Sequence, residues 1–147
     1  MAFFFIMNKG RILAIDFGER RMGLAISDPD RILASGLTTL IVKNTRDAVG
    51  QLKEIVCKHE INLIIVGLPL LTDGTHGEKA GKVLSFCEYL RENLTVPIQL
   101  IDERFSTISA QRMLLESETK KKRRTKEKID ELAAVVILRH YLDCSSA

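Results

Sequence analysis

The sequence predicts an α/β domain: a mixed five-stranded sheet, three strands antiparallel and two parallel, flanked by helices. Three observations predict it. Three β-rich runs joined by short turns fill residues 11–42. Beyond residue 44 the apolar period lengthens from two to about 3.6, and helical stretches alternate with two further β-rich runs. Tight hairpins give antiparallel pairs, whereas a strand reached through a helix lies parallel to a neighbour.

Each element has its own signal. Residues 11–16, RILAID, are apolar between charged ends, as in a strand covered on both faces. Residues 17–21, with Gly18, suit a hairpin connection to a second strand at 22–27. Asp28-Pro29-Asp30 marks a turn before a third strand at 32–42. Residues 45–59 place Ala48, Leu52, Ile55, Val56 and His59 at helical spacing behind Asn44, a good N-cap. The fourth strand, 61–66, ends at Gly67. The loop LPLLTDGTHGEKAGK then leads into a helix that begins near Glu78 and continues through residues 83–94. Residues 97–102 are the fifth strand, 106–117 a helix, and 127–143 the last helix. The expected order is βββαβαβαα.

One domain accounts for all 147 residues, with residues 1–8 as a flexible extension and 118–128 as a mobile basic loop. The net charge of +3 is unevenly spread. Residues 119–128, TKKKRRTKEK, contribute +6, so the remaining chain carries −3. Cys57, Cys87 and Cys144 form no CxxC pair, which argues against a disulfide framework or zinc site and for a reducing compartment. Cys57 and Cys87 fall on apolar helix faces and are expected to be buried. The three histidines show no HExxH spacing. The opening MAFFFIM lacks a basic n-region and a cleavage site, and no stretch has the apolar length of a membrane span. A cytoplasmic protein without a membrane partner is expected.

Three carboxylates stand in unusual places. Asp16 ends the first strand, Asp102 ends the fifth, and Asp130 lies in the first turn of the last helix. The C-terminal ends of parallel strands line the crevice where α/β folds bind ligands. Ala133 and Ala134 lack bulk, so the last helix can press on the sheet and carry Asp130 to that edge. Each acid also has an ordinary role open to it: a turn for Asp16, a pair with Arg104 for Asp102, the helix dipole for Asp130. Together, three converging carboxylates repel, and a divalent cation reverses that sign. Oxygen ligands without His or Cys favour Mg²⁺ or Mn²⁺, and such ions hydrolyse phosphodiesters. Glu103 substitutes for Asp102 if the fifth strand is shifted by one residue, because strand neighbours face opposite ways.

The blocks AIDFGERRMGLAISD, IIVGLPLLTDG, IDERFST and KIDELAAVVILRHYL together resemble the YqgF-type pre-16S ribosomal RNA nucleases, relatives of the RuvC-type Holliday-junction resolvases. The four blocks stand in the family's order from about Lys9 to Asp143. The resemblance implies an RNase H-like fold, catalytic and metal-binding acids at Asp16, Asp102 and Asp130, and processing of the 5′ end of pre-16S rRNA in the cytoplasm. It departs at Leu71, where the family has Asn, and at Ser109, where it has Glu. The first departure weakens a substrate role for that loop; the second removes a capping partner for Ser106.

The expected nucleic-acid contacts are Lys121, Lys122, Arg123 and Arg124, which lead into the helix of Asp130, and Arg104, which touches a phosphate or braces Asp102. Arg20 and Arg21 are further candidates. No aromatic residues interrupt the basic run. The glycine loop lacks GK[ST] and is not a Walker A motif. The expected function is a metal-dependent endonuclease acting on structured RNA in ribosomal precursor particles, as a monomer or weak homodimer. The alternatives are a nuclease of branched DNA, which would cut as a dimer, a non-catalytic RNA-binding assembly protein, and an ATP-binding module, for which the chain is too short.

Overall fold

The computed structural model describes residues 10–69, 76–103 and 126–145. Its strands are β1 (Arg11–Asp16), β2 (Arg21–Ser27), β3 (Ala34–Ile41), β4 (Ile61–Leu68) and β5 (Ile98–Asp102). Its helices are α1 (Thr45–His59), α2 (Glu78–Asn93) and α3 (Lys126–Ser145). The expected helix at 106–117 and the basic residues 119–125 lie outside the described residues. The strands form one sheet in the order β3-β2-β1-β4-β5. β1 pairs antiparallel with β2 and β2 with β3, while β1–β4 and β4–β5 are parallel. The mixed five-stranded sheet read from the sequence is present.

β1 sits at the centre because it is apolar on both sides: Ile12, Leu13, Ala14 and Ile15 are fully buried. Leu13 and Ile15 join the core beneath α1 and α2, with Leu52, Phe86 and Leu90. Ile12 and Ala14 join a smaller core beneath α3, with Ala134, Ile137 and Leu138. Burial of each large side chain contributes about 1.5–3 kcal/mol, so the double-sided burial of this strand anchors its C-terminal end.

Two strand boundaries differ from expectation by two residues, each for a reason of hydrogen bonding. β3 begins at Ala34 because the N–H groups of Ile32 and Leu33 both donate to Asp28 Oδ1, at 2.7 Å each. That carboxylate completes the turn and leaves both residues largely exposed. Its pKa is held below the usual range, first by the Leu33 donor. β4 continues to Leu68 because β5 pairs beside it, Gly67 with Ile101 and Leu68 with Asp102. Asn44 does cap α1: its Oδ1 accepts from Asp47 N at 2.8 Å, and Asp47 Oδ2 accepts from Lys43 N at 2.9 Å.

Cys87 is buried as expected, but Cys57 is exposed, like Cys144. Cys57 lies about 140° round α1 from Leu52, off the face on which Leu52, Ile55 and Val56 pack against the core. Burial pushes the Cys87 thiol up to about 11. Two thiols should therefore react quickly with a disulfide reagent at pH 8 and the third only after denaturation. Three fast thiols in the native protein would contradict this packing.

Candidate active site

Strand alternation decides which acids meet. In β1, Ile12 and Ala14 face α3, and Asp16 has the same parity. In β5, Gln99 accepts a hydrogen bond from the Tyr141 hydroxyl of α3 at 3.3 Å, and Ile101 joins the α3 core. The next residue on that side is Glu103, not Asp102. Glu103 is buried, whereas Asp102 is exposed and shares its parity with Leu100, which packs toward α1 and α2. Asp102 therefore lies on the face opposite Asp16, and Glu103, just past the end of β5, lies on the face of Asp16 and Asp130.

Glycines let these groups approach. Gly23 pairs with Asp16 across β1–β2. A Cβ on Gly23 would collide with the carbonyl oxygen of Asp130, so only a glycine allows the first turn of α3 to rest there. Ala133 and Ala134, both buried, extend the close contact. Gly67 follows Val66, the partner of Ile15, and so lies next to Asp16, across the strand spacing of about 4.8 Å. A Cβ on Gly67 would stand 2.9 Å from Glu103 Cδ and 2.9 Å from Ile137 Cδ1. The Glu103 carboxyl thus lies over the strand adjoining Asp16.

Asp16 and Asp130 line one crevice of about 330 Å³ at the C-terminal end of β1. Arg20, Arg21 and Lys79 also line it. Arg21 Nε stands 3.2 Å from Asp130 Oδ2 and offsets part of the negative charge. Lys79 was not singled out in the sequence, although its place in the first turn of a helix that follows a strand end was a usable signal. Among the described residues, no three His, Cys, Asp or Glu side chains stand close enough to hold one ion. Arg104, Lys121, Lys122, Arg123, Arg124 and Leu71 lie outside the described residues.

The family described as "RuvX: Holliday junction resolvase" matches residues 10–144. The chain belongs to the RuvX family. Membership makes it a nuclease, an enzyme that hydrolyses phosphodiester bonds. This RuvX-family chain is 43% identical over 133 residues to a protein of Clostridium acetobutylicum named "Putative pre-16S rRNA nuclease", covering 90% of this chain and 98% of that protein. A protein of the same name from Thermoanaerobacter pseudethanolicus is also 43% identical, with 90% and 96% covered. Among solved structures, T. thermophilus RuvC in complex with a Holliday junction substrate matches with a TM-score of 0.57 at 15% identity, covering 94% of this chain and 98% of that one. The Fowlpox virus resolvase bound to Holliday junction DNA matches at 0.54 and 12% identity, with 92% and 98% covered. The RuvX-family fold is therefore the RNase H-like fold of these resolvases. No helix among its described residues is long and apolar enough to cross a membrane.

Proposed function

We propose that this chain is a divalent-metal-dependent endonuclease that trims the 5′ end of pre-16S rRNA in the cytoplasm, with Asp16, Asp130 and Glu103 as its catalytic acids. One observation carries the reading: two carboxylates from distant parts of the chain share a strand-end crevice with Lys79, Arg20 and Arg21. Buried beside them, Glu103 supplies a third oxygen donor on the same face. This all-oxygen set suits Mg²⁺ or Mn²⁺. Asp16 and Asp130, which share the crevice, would hold the ion, with Glu103 beside them on the same face of the sheet. A bound ion of this kind polarises a phosphodiester and makes a water more acidic.

The remaining residues have positional tasks. Arg21 aims the Asp130 carboxylate by its ion pair, and Lys79 meets a backbone phosphate at the crevice. Arg104, Lys121, Lys122, Arg123 and Arg124 are assigned further phosphate contacts by their charge, so binding is expected to weaken steeply with salt. The substrate reading draws on the names of the relatives that match over nearly their whole length.

Purified protein should be offered matched precursor RNA and four-way DNA junctions, each with Mn²⁺ or with a chelator. The expected result is cleavage of the RNA with metal, none with chelator, and little cutting of junctions. Symmetric cutting of junctions alone would replace the RNA reading with the resolvase reading that the family description suggests. RNA binding with no cleavage under any condition would leave a non-catalytic assembly protein.

A further inference from the structure

A trough crosses the turn between β1 and β2 and joins the acid crevice to a second cavity on the opposite face of the sheet. Crevice and trough share Phe17, Gly18, Glu19 and Lys79. Trough and second cavity share Phe17, Glu19 and Lys82. The second cavity has a volume of about 470 Å³, within the range of small-ligand sites. Its walls include Phe17, Met22, Val42, Phe86 and Tyr89. The Phe17 and Phe86 rings lie 4.8 Å apart at 42°, so the aromatic wall is braced by a ring contact. Asn44, Thr45 and Ser85 add an amide and two hydroxyls. Lys82 Nζ stands at the trough, 2.9 Å from Glu19 Oε1 and 3.8 Å from Glu78 Oε1.

These features call for an occupant with two chemistries. A largely apolar, aromatic-walled space with a few hydrogen-bonding groups fits a planar heterocycle. Lys79 at the trough fits a phosphodiester backbone, and so does Lys82 where a phosphate displaces Glu19 from it. A nucleic-acid strand supplies both at once, with its phosphates in the trough and one base turned into the cavity. Base edges would meet the Ser85 and Thr45 hydroxyls. Single-stranded segments are commonly read in this way, by splaying bases onto aromatic side chains.

We propose that the cavity between α1 and α2 receives one unstacked base of the bound strand, adjoining the phosphodiester held at the acids. The proposal deepens the nuclease reading and rests on it for the path of the strand.

The test uses short single-stranded RNAs carrying 2-aminopurine at successive positions, bound to the full chain with Asp16→Asn so that nothing is cut. Ser85→Phe fills the cavity from α2, and Tyr89→Ala removes part of its wall without adding bulk. The expected result is a fluorescence change at one position along the strand, lost in Ser85→Phe, with affinity lowered about tenfold in both variants. An RNA with an abasic residue at that position should bind the parent and Ser85→Phe equally. No RNA binding, or equal affinity and fluorescence in parent and variants, overturns the proposal. If the base enters the cavity but the chain with Asp16 intact cuts no RNA or junction, the nuclease reading falls and the base site stands.

Discussion

Asp16→Asn is expected to lower metal-dependent cleavage about 10³-fold or more while leaving the thermal midpoint almost unchanged. The substitution keeps the shape of the side chain and removes its charge. A divalent ion contributes several kcal/mol to stabilising the charge of a phosphodiester transition state, and each 1.36 kcal/mol is tenfold in rate. Stability should hardly suffer, because Asp16 closes the strand outside both apolar cores. Removing one of two facing carboxylates also relieves repulsion. Single-turnover cleavage with Mn²⁺ and a circular-dichroism melt measure the two effects together. Undiminished cleavage by a folded variant would remove the crevice from the mechanism.

Glu103→Gln and Asp102→Asn are expected to separate sharply, although the residues are neighbours. Glu103 lies buried over Gly67 on the side of Asp16 and Asp130, whereas Asp102 is exposed on the opposite parity. Loss of the Glu103 charge should reduce cleavage about 10²- to 10³-fold, comparable to loss of an electrostatic group at a reacting centre. Asp102→Asn should change it by no more than about twofold. Both variants should fold, as shown by unchanged far-ultraviolet spectra. A large loss in Asp102→Asn with none in Glu103→Gln would reverse the assignment and require the end of β5 to rotate in the bound state.

Much of this architecture is legible along the chain because local patterns and tertiary demands agree. RILAID reads as a central strand and is one, since only a strand covered on both faces tolerates unbroken apolar residues. Asn44 reads as a cap and accepts the expected hydrogen bond. Asp16 and Asp130 stand at element ends that chain order alone suggests will meet. The readings fail where coverage, not pattern, decides. Cys57 follows an apolar run, but the core takes Ile55 and Val56 and leaves Cys57 turned off that face. Ile32 and Leu33 have strand character, but the Asp28 carboxylate takes their N–H groups first.

By itself the sequence determined the order of elements, the mixed sheet, the family, and which acids stand at strand and helix ends. Those features follow from periodicity and from residue types, which are local properties. The tertiary structure alone decided that Glu103 rather than Asp102 lies on the same face of the sheet as Asp16 and Asp130. In a strand, a single residue of register reverses the direction of a side chain, and β5 takes its register from pairing with β4 and its inward face from contact with α3. Which of two adjacent carboxylates lies on the α3 face depends on those distant partners, and the dipeptide that carries both cannot express the choice.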